Sequence, residues 1–118
     1  MQSFHQWIKE NRTADEWKEA DRAIHEEAEK IWRELGMRMK RVDTSAFRSG
    51  SKHYPALRFA LDAPKEQVVE HMKKHRDFRY EERNERFWST VHPTIMVMIF
   101  EGSDGTARVT MLNRDAVE

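Results

Sequence analysis

Residues 13–36 read TADEWKEADRAIHEEAEKIWRELG, and residues 37–42, directly after them, read MRMKRV. In the first stretch Trp17, Ala20, Ile24, Ala28, Ile31, Trp32 and Leu35 recur at spacings of three and four, which is the single apolar stripe of an amphipathic helix. Acids crowd the opposite side. Gly36 is a natural helix terminator, because a residue without a Cβ takes the left-handed conformation that closes a last turn. Beyond it the period drops to two: Met37 and Met39 alternate with Arg38 and Lys40, the pattern of a strand. A helix that ends on a glycine and gives way to a half-apolar strand places both structural types in one domain.

Upstream, Ser3 with Gln6 reads as a capping box that opens a short helix carrying Phe4, Trp7 and Ile8, ending near Asn11–Arg12. Thr13 with Glu16 is a second capping box and starts the long helix. Downstream, the strand from Met37 runs to about Phe47. Arg48-Ser49-Gly50-Ser51-Lys52 supplies turn residues, and Leu57, Phe59 and Leu61 alternate with Arg58, Ala60 and Asp62, so a β-hairpin is expected. Pro55 near the start of the second strand suits an edge, where its missing donor is tolerated.

Asp62, Ala63 and Pro64 then read as a helix start, with Asp62 as the cap and Val68, Val69 and Met72 on the buried face. Tyr80, Asn84, Phe87, Trp88 and Val91 fit a further helical segment loosely. His92-Pro93 breaks it. Residues 94–100, TIMVMIF, form the most β-like run, 101–105 a turn, and Ala107, Val109 and Met111 the last alternating strand.

These elements predict one α+β domain over residues 1–118, in the order α-α-β-β-α-β-β. Its antiparallel sheet of two hairpins packs against the long N-terminal amphipathic helix and a second helix. Within the run 94–100, Ile95, Val97 and Ile99 point to one side while Met96, Met98 and Phe100 point to the other. Both sets are apolar, so this strand needs cover on both faces. Either the N-terminal helix wraps around to the second face or another subunit covers it, which makes a homodimer one expectation.

With 118 residues and twelve aromatics, four of them tryptophan, the chain can bury a core, and its charges are mixed in sign, unlike those of a disordered segment. The absence of cysteine excludes disulfides and thiolate metal sites. No basic region followed by an apolar run opens the chain, and no stretch nears the roughly 20 apolar residues of a membrane span, so a cytoplasmic protein is expected. Lys plus Arg and Asp plus Glu both number 21, which removes the simplest argument for nucleic-acid binding. The charge is nevertheless bipolar. Acids dominate residues 13–35, and bases dominate 37–59, where Asp43 is the only acid.

Several residue patterns bear on chemistry. His71 and His75, four apart on a predicted helix, have the spacing of helical metal ligands, with Glu70 and Asp77 nearby, and a small metal-dependent enzyme centred on them is one alternative. Two ligands do not make a site, and Met72 stands where a metalloprotease helix would carry Glu. Ser49 and Ser51 near His53 lack the strand-to-helix elbow of an activated serine. Gly50-Ser51-Lys52 lacks the spaced glycine and following helix of a phosphate loop. Glu26, Glu27, Glu81 and Glu82 read as solvated helix positions. No catalytic constellation and no cofactor follow from these residues.

The basic hairpin is the remaining candidate. Arg38, Lys40, Arg41, Arg48, Lys52, His53 and Arg58, interleaved with Phe47 and Tyr54, form a surface suited to an acidic protein or to nucleic acid. The neutral total ranks a protein partner ahead of nucleic acid. The expected function is thus a small, non-enzymatic binding or regulatory protein acting through residues 38–58, with a nucleic-acid-binding module on the same hairpin as the alternative. The acidic helix lying against those cations is the competing internal explanation.

Overall fold

A computed structural model describes the chain from Phe4 to Arg114, with side chains from Asp15 onward apart from Lys30 and Ile31. The first element, α1, is a single helix, Phe4–Glu34, that runs through the break expected at Asn11–Arg12. The reason is local. No glycine or proline lies between Met1 and Gly36, and Thr13 is tolerated mid-helix. The expected Ser3 capping box, and the side chains of Phe4, Trp7 and Ile8, lie outside the described residues.

Helix α1 ends as expected. Gly36 has φ 70°, its N–H donates to Arg33 O at 3.1 Å, and Met37 N–H donates to Trp32 O at 2.8 Å. This paired Schellman closure consumes carbonyls the helix end would otherwise leave unpartnered.

Strands β1 (Met39–Ser49) and β2 (Lys52–Pro64) form the expected hairpin, followed by α2 (Lys65–Lys74), β3 (Phe78–Glu81), β4 (Arg86–Ser89), β5 (Ile95–Glu101) and β6 (Thr106–Asn113). Gly50 at φ 63° provides the left-handed residue that the tight β1–β2 connection requires. The six strands make one sheet in the order β1-β2-β6-β5-β4-β3, every neighbouring pair antiparallel. The α+β architecture with two helices and an antiparallel sheet is therefore as the sequence indicates.

Two details differ. The helical segment expected over Tyr80–Val91 is instead the β3–β4 hairpin, in which Phe78 pairs with Ser89 and Tyr80 with Phe87. Its turn contains no glycine, and Glu85 itself adopts the left-handed conformation at φ 50°. Asp62 does not cap α2. Pro64 occupies the N-cap without a side-chain hydrogen bond, and Asp62 pairs with Lys40 at 3.1 Å.

Both helices pack on one face of the sheet, called here the inner face. Ile24, Ala28 and Trp32 of α1 and Val68 and Met72 of α2 join Leu57, Phe59, Phe87, Val97, Ile99, Val109 and Met111 in one core. Trp32 meets Phe59 edge-on at 5.4 Å. Burial of each large side chain in this layer contributes about 1.5–3 kcal/mol.

Polar contacts fix the helix in register. Ser89 Oγ donates to Glu27 Oε1 at 3.1 Å, Asn113 Nδ2 donates to Ala20 O at 3.2 Å, and His75 Nε2 lies 3.0 Å from Glu34 Oε2. Glu27 is thus a buried anchor, contrary to its reading as a solvated position, because it stands three residues from Ile24 on the edge of the apolar stripe. Glu81 is likewise a strand residue and not a helical one. Among the described residues no helix is long and apolar enough to cross a membrane.

Candidate interaction surface

On the other side of the sheet, the outer face, no described side chain from either helix joins the apolar cluster. That cluster consists of Tyr54, Ala56, Met96 and Leu112, with Phe47, Trp88 and Met98 packed at its margin. Strand register explains it. Ala56 pairs with Leu112, Leu112 with Met96, and Met96 with Trp88, so one apolar row crosses the sheet from β2 to β4. The next row reads Asp43, Arg58, Thr110, Met98, Arg86 and Glu81 across the six strands. A third sets Lys40, Ala60, Arg108 and Phe100 side by side.

Arginine side chains lie over parts of the apolar row. Arg86 Nη1 is 3.3 Å from Met96 Sδ, the Arg114 guanidinium is 5.8 Å from the Tyr54 ring centre, and that of Arg58 is 6.0 Å from the Phe47 ring centre. Long side chains can cover apolar surface with their stems while their charged heads stay in water. This explains how Met96 and Leu112 are buried on a face where no described helix contributes cover. Phe100, at the end of β5, is left 52 % exposed.

The electrostatics of this face favour anions. Arg58, Arg79, Arg86, Arg108 and Lys40 outnumber Asp43, Asp62 and Glu81 on the outward positions of the strands. Glu81 is held in place. It accepts hydrogen bonds from Asn84 and from Trp88 Nε1, and these donations, together with the positive charges of Arg86 and Arg79, keep its carboxyl below the usual carboxylate range. Arg86 Nε is buried without a hydrogen-bond partner, while its Nη1 lies against Met96.

The residues singled out in the sequence do not all share this surface. Lys40, Phe47, Tyr54 and Arg58 do. Tyr54 is buried beside Arg114, however, and Lys40 is paired with Asp62. Arg48 and His53 form a cross-strand pair on the alternate side near the hairpin tip, where Arg48 Nε donates to Gly50 O at 3.1 Å, and Lys52 closes the turn. Arg38 precedes β1. Arg41 sits in the bulge between Lys40 and Asp43 with φ 53°. Among the described residues no ion pair joins Arg41 or Arg48 to an acid of α1.

The two histidines of the metal alternative do not converge. His75 directs Nε2 to Glu34 and accepts the Asp77 N–H at Nδ1 at 3.1 Å, so both its ring nitrogens are engaged within the fold. His71 is exposed elsewhere on α2, and among the described residues no three metal-capable side chains form a group. The sequence reading missed Arg86, Trp88, Arg108, Leu112 and Arg114. Only the two-sided apolarity of residues 95–100 signalled a second face. Comparison with known protein families, curated proteins and solved structures finds no match to this chain.

Proposed function

We propose that the chain is a non-enzymatic binding protein whose contact surface is the outer face of the sheet, and that its partner is a protein presenting acidic groups around an apolar patch. The observation that carries this is the row Ala56–Leu112–Met96–Trp88, flanked by Arg58, Arg86 and Arg108, on a face without helical cover among the described side chains. An apolar centre with a charged rim, rich in Trp, Met and Arg, is the usual anatomy of a protein interface. The basic hairpin contributes the β1–β2 end of this surface through Lys40, Phe47 and Arg58.

Two features favour protein over nucleic acid. The faces of Phe47 and Tyr54, on which bases would stack, already carry guanidinium groups, and Glu81 sits beside Trp88 where a phosphate would be repelled. A second copy packed face to face would bring the same arginines against each other. That disfavours an isologous dimer on this surface.

Phe100→Asp and Arg86→Glu test the reading. Phe100 is half exposed, so the first change leaves the core intact, and each variant is expected to lower affinity for the partner at least ten-fold, about 1.4 kcal/mol or more. Binding is expected to weaken with salt and to survive nuclease treatment. Unchanged affinity in both variants sinks the proposal, and loss of binding on nuclease treatment replaces it with the nucleic-acid alternative. Sedimentation equilibrium showing a dimer that Phe100→Asp dissociates would make a second copy of the chain the occupant.

A further inference from the structure

The inner face holds a cavity that the proposed interface does not use. It measures about 370 Å³ and lies between α2 and strands β3, β4 and β5. Such a volume falls in the range of small-molecule sites. Its floor is apolar and partly aromatic: Val69 from α2, Ile99 from β5, and the Tyr80 and Phe87 rings, whose centres are 4.8 Å apart. Its rim carries three acids, Glu66 and Glu70 from α2 and Glu85 from the β3–β4 turn, against two cations of α2, Lys65 and Lys73.

The left-handed backbone of Glu85, unusual for a residue with a Cβ, sets this third carboxylate at the cavity mouth. Among the described residues no ion pair or hydrogen bond engages the carboxylates of Glu66, Glu70 or Glu85. One further contact indicates the preference of the aromatic floor: the Lys73 ammonium sits 4.7 Å from the centre of the Tyr80 ring. The ring face attracts a cation through its quadrupole. Lys73 is exposed and unbranched, so it can leave this position without disturbing the core.

We infer that this cavity is a binding site for a small organic amine with an apolar body, an aralkyl or alkyl ammonium. The apolar body lies on Val69, Phe87 and Ile99. The ammonium takes the Tyr80 face, displacing Lys73, and the rim carboxylates neutralise it. Lys73 is in this arrangement an internal competitor for the ligand, which separates the idea from a generic acidic patch: removing a positive charge from the rim strengthens binding, and it does so through one named ring.

Amide shift titration of the full chain with phenethylamine, and in parallel with 3-phenylpropionate, tests the site. The amine is expected to shift Val69, Tyr80 and Phe87 saturably at millimolar concentration, and the carboxylate to leave them unmoved. Lys73→Met is expected to tighten amine binding roughly two- to five-fold, the gain of one surface cation–π contact freed for the ligand. Glu66→Gln with Glu70→Gln is expected to weaken it several-fold. Both positions are exposed on α2, so these variants remain folded. Equal or tighter binding of 3-phenylpropionate, no saturable shift with the amine, or an amine affinity that Lys73→Met leaves unchanged or lowers would each overturn the assignment.

Discussion

Glu27 and Asp104 show how two carboxylates of one chain acquire opposite roles. Glu27 is 4 % exposed, accepts the Ser89 hydroxyl, and has His92 Nε2 at 3.9 Å, so its removal leaves a polar gap under α1. Glu27→Ala is expected to cost about 1–3 kcal/mol in urea denaturation, with Glu27→Gln losing less because the amide oxygen still accepts from Ser89. Asp104 lies in the β5–β6 turn with about half of its side chain exposed, 53 %. It accepts from the Thr106 hydroxyl at 2.7 Å, the Thr106 N–H at 3.0 Å and Arg108 Nη2 at 3.1 Å. Those donors, the Thr106 hydroxyl first, drive its carboxyl far below the usual range. A depressed folded value means that its stabilisation is present above the ordinary value of 3.8 and is lost as the pH falls through the folded one. Asp104→Asn is therefore expected to be less stable than the parent at neutral pH, with the gap closing in strong acid. A gap that widens in acid would contradict the assignment. At this scale the sequence was partly legible. Spacing put Glu27 at the stripe's edge, but side-chain type suggested solvent, and the distant Ser89, 62 residues on, together with His92 makes its burial tolerable.

At the scale of elements, the parts governed by short-range periodicity were readable and those governed by pairing were not. The stripe of α1, its Gly36 closure and the β1–β2 hairpin follow from spacing and turn chemistry within a few residues. Ile24 carries the helix onto the core with no exposed surface, and Ile24→Ala is expected to cost about 2–5 kcal/mol, measured by denaturant melting with an unchanged slope if α1 stays docked. The β3–β4 hairpin was hidden. Its strands are four residues each, and its turn offers no glycine or proline. Tyr80, Asn84, Phe87, Trp88 and Val91 mimic a helical period, while the true alternation, with Phe78, Tyr80, Phe87 and Ser89 inward and Arg79, Glu81, Arg86 and Trp88 outward, becomes visible only once β5 is beside β4. Reading that segment as helix removed Arg86 and Trp88 from any surface they could share with the basic hairpin. Half of the candidate interface was lost with it.

For the whole molecule, the two faces of one sheet have divided the chain's charge. Helix α1 covers the inner face and presents Asp15, Glu16, Glu19, Glu26 and Glu29 to the outside, while the outer face exposes arginines around an apolar row. A neutral total thus conceals a dipolar molecule, which orients an encounter with a charged partner without strong long-range attraction. The two-sided apolarity of β5 was the sequence feature that pointed to a second apolar face. What it could not supply was the order β1-β2-β6-β5-β4-β3, which sets Arg58 and Arg86 on either side of the same centre. Site-specific photocrosslinking compares the two faces directly, with a benzophenone side chain placed at Phe100 on the outer face or at Glu26 on α1, in nuclease-treated native extract. The account predicts a discrete protein adduct from position 100 that Arg86→Glu abolishes, and none from position 26. Adducts from position 26 alone, or an adduct at position 100 indifferent to Arg86→Glu, would contradict it.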